Sequence, residues 1–382
     1  MEQPQLQHKL YGLDHLRALA ILLVFVFHYG IIFPSPQWVT SIGKFGWTGV
    51  DLFFVLSGYL IASQLFLKIS QDKKISFPEF FTKRFFRIIP AYLVVVAIYF
   101  LLPSFREREA PAPLWKYLTF TQNIGLDISK QGTFSHAWSL CIEEQFYLLL
   151  PLILIALVYF KAIKKGYWLL LFLFFAGIAV RLYCWHSLVA PFIDDDNFTI
   201  HWYKWLYYPT FSRLDGLLIG VSIAAMLQFR PEFKERVQQN GNFFLLAGML
   251  IFAIAYFVCG NEESFGASVF GFPLVDLGFG CIVLGAVCRN SILYTLKSKA
   301  TSTIATLSYA LYLTHKITIH LTQQYFSSLH IAKDSTIMFF ICIITSLLVA
   351  LLMNKLIEKP FLKLREKILR PATTLNSQPS SL

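Results

Sequence analysis

The chain has 382 residues, of which 56% are hydrophobic and only 14% are charged. A soluble domain carries about 25% charged residues, so this composition excludes a soluble fold and predicts an integral membrane protein. The net charge of +11 would suit nucleic acid, but the basic residues lie in short loops between apolar runs, where they encode membrane topology, and we expect no nucleic-acid partner.

Taken in chain order, the apolar runs predict about ten transmembrane helices, each near the roughly 17 to 25 residues that cross a bilayer. The runs are 13–33, 47–67, 88–103, 139–160, 167–189, 213–229, 242–259, 272–288, 303–325 and 335–357. The sequence therefore predicts an all-α integral membrane protein whose transmembrane domain occupies residues 1–370. The polar segment 371–382 contains Pro and Ser residues and predicts a disordered cytoplasmic tail.

Basic residues are distributed unequally between the two sides of the predicted bundle. The N-terminal segment and the segments on its side carry 22 Lys and Arg residues, whereas the opposite loops carry seven. Because cytoplasmic segments are enriched in these residues, the sequence predicts that both termini are cytoplasmic.

The first helix, within "YGLDHLRALAILLVFVFHYG", contains two ionisable residues, Arg17 and His28. Eleven residues make about three helical turns, so both side chains face the same way, about 16 Å apart along the axis. Ionisable residues inside a membrane are costly and usually functional. The alternative is a pair of satisfied polar residues that hold the bundle together.

The second and third helices add further polar candidates. Asp51 lies at the outer end of the second helix. There its negative charge either stabilises the N-terminus of the helix or orients a histidine. Ser57 and Tyr59 lie near its middle. Arg84 and Arg87 are three residues apart and therefore share one helical face. Two guanidinium groups on one face of this helix can bind a polyphosphate. The alternative is that they are ordinary positive charges that set the membrane orientation.

The stretch "SHAWSLCIEEQFY" leads into the fourth helix. His136, Ser139 and Glu143 have the i, i+3, i+7 spacing of one helical face, and Glu144 adds a second carboxyl group. An interfacial position explains aromatic residues and a histidine, but it does not explain two acids that enter the bilayer. We interpret this stretch as part of a site.

Later signals are weaker. Arg213 and Asp215 lie at the outer end of the sixth helix, and His315 and Lys316 lie within the ninth. Structural pairing explains each of them as well as function does. The six cysteines show no metal-ligand spacing, so we expect no metal site.

Seven stretches together resemble the acyltransferase-3 family, the membrane acyltransferases that modify bacterial surface polysaccharides. They are "LRALAILLVFVFHYG", "GWTGVDLFFVLSGYLI", "RFFRIIPAY", "HAWSLCIEEQFYLLLPL", "FSRLDGLLIG", "LSYALYLTH" and "IEKPF", between about residues 10 and 362. The resemblance implies that the Arg and His of the first helix, the paired Arg residues and the Ser and Glu of the "WSL..E" motif are functional. Their counterparts here are Arg17, His28, Arg84, Arg87, Ser139 and Glu143.

The family resemblance also implies a reaction. An acyl group, usually acetyl, passes from cytoplasmic acyl-CoA to a carbohydrate hydroxyl on the outer side of the inner membrane, without a bound cofactor. His28 would act as general base or carry the acyl group, and Asp51 or Glu143 would orient it. Arg84 and Arg87 would hold the phosphates of the donor, and Arg17 would hold the donor arm or pair with a buried acid.

The expected partners are acyl-CoA, a glycan or lipid-linked glycan and the bilayer, and the chain resembles the stand-alone form of the family. Lipopolysaccharide O-antigen, capsule, peptidoglycan, an exported oligosaccharide and a small secreted metabolite are all open as acceptors, as is the oligomeric state. A multi-helix transporter of an anionic or acylated solute is the alternative. The lack of a visible internal repeat weakens it, because many transporters are built from repeated halves.

The charge distribution generates a prediction about sidedness. A reporter that is active only outside the cytoplasm should be active when inserted in the 190–200 loop and silent when fused after residue 370. The measurement is reporter activity in intact cells, normalised to the amount of fusion protein. An active C-terminal fusion would reverse the orientation.

Overall fold

The computed structural model describes residues 10–369, and this part of the chain is α-helical without a β-strand. Eight of its helical segments are long and apolar enough to cross a membrane. The predicted all-α integral membrane fold is therefore confirmed. The predicted tail at 371–382 lies outside the described residues.

Within residues 10–369, ten long helices form the bundle, and each overlaps one predicted run. They are α1 (Tyr11–Ile32), α2 (Thr48–Ser70), α3 (Phe77–Leu101), α4 (Trp138–Tyr159), α5 (Gly166–Cys184), α6 (Asp215–Phe229), α7 (Gly241–Val258), α8 (Phe272–Ala286), α9 (Lys299–Ser328) and α10 (Thr336–Met353).

Two of these helices differ from ordinary membrane spans. Helix α6 has only 15 residues; α8 has the same length but continues a π-helical turn at Ala267–Gly271, which makes a 20-residue span. Helix α9 has 30 residues but buries His315, Lys316 and Gln323 among its apolar side chains. Helices α1 and α10 pack against α9, so its polar groups contact protein instead of lipid. Interior polar residues of this kind are the usual exception to the apolar rule for membrane helices.

The third helix begins much earlier than predicted, at Phe77 instead of residue 88. Ser76 caps its N-terminus by accepting a hydrogen bond from the backbone N–H of Glu79 at 3.4 Å, a standard way to satisfy a free donor. The apolar run marks only the part of the helix after these polar turns. As a result, Arg84 and Arg87 lie inside a continuous helix, not at its entrance.

Helices α2 and α6 pack closely through two glycines. A side chain at Gly58 would collide with the backbone oxygen of Leu217, and one at Gly220 would collide with the backbone oxygen of Val55. Small residues permit such close approach between membrane helices. This contact fixes α2 beside α6, while α1 packs against α2 and α9, so that α1 occupies a central position.

The segment between α3 and α4 folds into a compact cap over one end of the bundle. The backbone N–H of Thr133 donates to the carbonyl of Ala110 at 3.2 Å, and the buried Tyr117 hydroxyl donates to the carbonyl of Thr133 at 3.2 Å. Phe134 stacks on Tyr99 with ring centroids 4.7 Å apart. These contacts hold the chain that enters α4 in a fixed position.

Buried ion pairs join α2, α5 and α6 near their ends. Arg213 Nη2 donates to Asp51 Oδ1 at 2.7 Å, and the Arg181 guanidinium pairs with the carboxylate of Asp215 through two of its nitrogens. All four residues are at most 2% exposed. Asp51 therefore pairs with an arginine, and the expectation that it orients His28 does not match the structure.

Breaking one of these pairs should destabilise the fold. Replacing Arg213 with Met leaves the carboxylate of Asp51 buried without a counter-charge, which typically costs about 3 to 5 kcal/mol. Thermal unfolding of the purified protein in detergent measures the effect, and Arg230→Met at an exposed arginine is the control. The double variant Arg213→Met with Asp51→Leu should regain part of the loss. Equal melting temperatures of the Arg213→Met and Arg230→Met variants would contradict this role.

Candidate active site

A first cavity, which we call the basic cavity, lies between α1, α2, α3, α4 and α9 and has a volume of about 170 Å³. It brings together three arginines and two carboxyl groups that are far apart in the sequence. Its polar lining comprises Arg17, Ser57, Arg84, Arg87, Ser139, Glu143, Glu144, Tyr147, Ser308, Tyr309 and Tyr312. Seven residues predicted from the sequence thus share one site.

Of the three arginines of the basic cavity, only Arg17 forms an ion pair within the described residues. Arg17 Nη1 lies 3.6 Å from Asp14 Oδ1, whereas Arg84 and Arg87 form no ion pair with any residue in the range 10–369. The Arg84 guanidinium lies over the ring of Tyr147 at 5.3 Å. Arginines held in place without a carboxylate partner are suited to bind an anionic ligand.

A second cavity, which we call the histidine cavity, has a volume of about 280 Å³ and lies further along α1. His28 lines it eleven residues beyond Arg17, about 16 Å along the helix. The other polar and aromatic lining residues are Phe27, Trp47, Arg108, Ser135, His136, Trp138, Thr199, Tyr203, Tyr207, Tyr208, Glu262 and Lys316. The prediction that one face of α1 presents both Arg17 and His28 is consistent with this arrangement, since each lines a cavity.

Hydrogen bonds around His315 determine which nitrogen of His28 can accept a proton. His315 Nδ1 lies 2.9 Å from the carbonyl oxygen of Tyr312 and 3.1 Å from that of Leu311. Carbonyl oxygens only accept hydrogen bonds, so this nitrogen carries the proton. In neutral His315 the other nitrogen, Nε2, then accepts from His28 Nδ1 at 3.0 Å. The lone pair of His28 Nε2 is left available as a base.

His136 is a third histidine at this position. Its ring centroid lies 5.0 Å from that of His315 and 5.7 Å from that of His28. Neither ring nitrogen has a hydrogen-bond partner among the described residues. His136 lies in the 3-10 turn Ser135–Ala137, which runs directly into α4 at Trp138. It lines the histidine cavity, whereas Ser139 and Glu143 line the basic cavity.

A pair of hydroxyl groups lies between the two cavities. The Tyr312 hydroxyl donates to the carbonyl of His136 at 2.6 Å, and Ser139 Oγ lies 2.6 Å from Tyr312 Oη. Because tyrosine has a single hydroxyl proton, Ser139 is the donor in this second bond. Ser139 and Tyr312 line the basic cavity, and His136 lines the histidine cavity, so this pair forms part of the partition between them.

These contacts change the roles expected for Ser139 and Glu143. Ser139 has no basic partner among the described residues, so its hydroxyl is not arranged as an activated nucleophile. Glu143 accepts a hydrogen bond from the Tyr147 hydroxyl at 2.7 Å and lines the basic cavity. His315, not Asp51 or Glu143, forms the side-chain hydrogen bond that orients His28.

Two loops complete the lining of the histidine cavity. Tyr203, Tyr207 and Tyr208 come from the segment before α6, and Glu262 comes from the loop after α7. Burial and the neighbouring charge of Glu263 raise the pKa of Glu262 to about 7. Near neutral pH this carboxyl group can therefore either donate or accept a hydrogen bond.

The remaining predicted residues lie elsewhere. Tyr59 lines neither cavity, and Arg213 and Asp215 belong to the buried ion pairs. Residues 10–369 contain no cluster of His, Cys, Asp and Glu that could hold a metal ion.

Sequence reasoning did not assign Lys316 or Glu107 to the site. Lys316 gave a signal, because it is ionisable and lies inside a predicted helix. Glu107 gave none, because it belongs to the charged loop run "REREA", which is typical of a solvated surface. The sequence gives no signal for Tyr312 and Glu262 either, because neither residue type is unusual where it occurs.

Comparison with known proteins identifies the class to which this architecture belongs. O-acetyltransferase OatA of Staphylococcus aureus, in strains NCTC 8325 and COL, is 28% identical over 372 residues, which cover 92% of this chain and 57% of that protein. This chain thus spans little more than half the length of these curated relatives. No solved structure matches it. A family model described as an acyltransferase domain matches residues 10–355, a range that includes both cavities, and the chain therefore belongs to the acyltransferase-3 family of membrane acyltransferases.

Proposed function

We propose that this protein transfers an acetyl group from acetyl-CoA on the cytoplasmic side of the inner membrane to a hydroxyl group of a carbohydrate on the outer side. One observation carries the proposal: a cavity with three arginines and a cavity with a histidine base lie in sequence along α1, separated by a hydrogen-bonded partition. Family membership supports acyl transfer. The name of the Staphylococcus aureus relatives supports acetyl as the group and oxygen as the acceptor.

The basic cavity suits the donor. Coenzyme A is a polyanion, and Arg84 and Arg87, which form no ion pair with a described residue, have guanidinium groups that can bind phosphate oxygens through two hydrogen bonds each. The cavity volume of about 170 Å³ is small for a whole nucleotide. In this proposal the phosphates lie at the arginines, and the slender thioester arm extends towards Ser139 and Tyr312.

The histidine cavity suits the acceptor and the chemistry. Several tyrosines and tryptophans line it together with polar groups, a combination that packs against the faces of sugar rings and binds their hydroxyl groups. His28 Nε2 accepts the proton of the acceptor hydroxyl while its oxygen attacks the thioester carbonyl carbon. The carbon–sulfur bond then breaks, and the coenzyme A thiolate takes the proton from His28.

A transporter is the second candidate, because two cavities separated by a thin layer also suit alternating access. The two functions differ in their products. An acetyltransferase releases one free thiol for each acetyl ester formed, whereas a transporter releases neither. Titration of free coenzyme A during turnover with extracted cell-surface glycan therefore separates the two functions.

The donor assignment predicts weaker binding after loss of the arginine pair. Replacing both Arg84 and Arg87 with Gln should reduce acetyl-CoA affinity at least about tenfold, since each hydrogen bond to a charged group contributes about 1.5 to 3 kcal/mol. Isothermal titration calorimetry of the purified protein measures the affinity. The matched control is the double variant Lys73→Gln with Lys74→Gln, which removes two exposed cations from the loop before α3. If both double variants bind the donor equally well, the arginines serve topology alone.

The assignment of His28 predicts a loss of turnover without a loss of fold. His28→Gln keeps a polar side chain of similar size but removes the base, and positioned acid–base catalysis contributes at least about 10²-fold. The measurement is acetyl transfer from radiolabelled acetyl-CoA to extracted glycan by the purified variant, compared with His330→Gln at an exposed histidine. Transfer within a few-fold of wild type would remove His28 from the mechanism.

A further inference from the structure

The histidine cavity contains a buried cation that the reaction described so far does not use. Lys316 is 1% exposed, lies in the middle of α9 directly after His315, and lines the cavity together with His28. An ammonium group inside a membrane bundle is costly and is kept only with good compensation. Its position beside the proposed reaction centre suits a role in the reaction itself.

The contacts of Lys316 do not saturate it. Among the residues that the structure describes, its ammonium donates one hydrogen bond, to Ser135 Oγ at 3.2 Å. The nearest carboxylate oxygen, Glu107 Oε1, lies 3.9 Å away, beyond hydrogen-bond distance, and it accepts from the backbone N–H of Phe134 at 3.2 Å. An ammonium has three protons, so donor capacity remains for a ligand in the cavity.

Neighbouring residues connect the Lys316 ammonium to the histidines of the cavity. His315, the neighbour of Lys316 in the chain, contacts His28 at 3.0 Å. Ser135, which Lys316 binds, is the neighbour of His136, and His136 lies against both other histidine rings. Lys316 is thus tied on one side to the residue that orients the base and on the other side to the wall of the cavity.

We propose that Lys316 is a catalytic residue whose ammonium group stabilises the oxyanion formed during acyl transfer. This inference rests on the proposed function. As the acceptor oxygen attacks, the electron pair of the carbonyl bond moves to the carbonyl oxygen, and His28 Nε2 takes the hydroxyl proton. Lys316 binds the resulting oxyanion, which then reforms the carbonyl bond as the thiolate leaves and recovers the proton from His28. The ester and the free thiol account for every atom.

Lys316 also has a structural role, and the test has to distinguish this role from catalysis. The Lys316–Glu107 ion pair fastens the loop after α3 to α9, and a neutral residue at 316 would leave the Glu107 carboxylate unpaired. The double variant Lys316→Met with Glu107→Gln removes both charges, so the fold no longer depends on the pair. The donor site in the basic cavity is untouched, and acetyl-CoA affinity reports on its integrity.

The expected result for this double variant is a normal melting temperature and normal acetyl-CoA affinity with a loss of about 10²- to 10³-fold in kcat, the usual effect of removing one oxyanion donor. A Lys333→Met variant, which removes a lysine of the loop between α9 and α10, is the control. A kcat within a few-fold of wild type would overturn the role of Lys316 and leave the proposed function intact. Absence of thiol release by the wild-type protein would instead remove the proposed function.

A second experiment restores the positive charge at position 316. Lys316→Cys treated with 2-bromoethylamine carries an ammonium at nearly the original length, and intact mass gives the alkylated fraction. We expect at least a tenfold recovery of kcat per alkylated molecule, with no change in identically treated Lys316→Ser. Alkylation without recovery would show that a cation at this position does not act on the reaction.

Discussion

Ionisable groups inside the bundle have to find a partner in the protein or face a cavity, because hydrocarbon offers them neither water nor counter-charge. This constraint separates the polar residues into two classes. Asp51 with Arg213 and Arg181 with Asp215 form buried ion pairs and join helices. Arg84 and Arg87 face a cavity and form no ion pair within residues 10–369. The stabilising residues and the candidate functional residues can therefore be distinguished by their contacts, although their sequence signals are alike.

The spacing along α1 gives the site its direction. Three helical turns separate Arg17 from His28, which is about half the thickness of the hydrocarbon core. A cation and a base at this distance cannot act on one small molecule at the same time, but they can act on the two ends of a long donor. The close packing of α1 against α2 and α9 makes the geometry rigid, since both cavities are built from residues of these three helices.

The sequence was sufficient for the helices and for most of the basic cavity, because both depend on local patterns. Ten apolar runs overlap ten helices, and Arg84 and Arg87 lie on one face as their spacing requires. Pairings across the bundle were not predictable in this way. Asp51 is 162 residues from Arg213, and no periodicity connects them. The early start of α3 was missed for another reason: its first turns are polar, and the cap at Ser76 is a weak signal beside an apolar run.

The proton arrangement at Ser139 limits how an acyl group could pass from one cavity to the other. The Tyr312 proton is donated to the carbonyl of His136, so Ser139 donates its own proton to Tyr312, and no described residue is placed as a base to activate it. A relay in which Ser139 carries the acyl group would therefore need a different hydrogen-bond pattern. Direct attack on the thioester by an acceptor hydroxyl that His28 deprotonates needs no such change in hydrogen bonding. The thioester arm then has to pass the Ser139–Tyr312 pair. A change in the χ1 rotamer of Tyr312 would break two hydrogen bonds, to Ser139 and to His136, and their net contribution is only about 1 kcal/mol each. Opening the partition is thus energetically modest, and in the proposed reaction phosphate contacts of the donor would offset it.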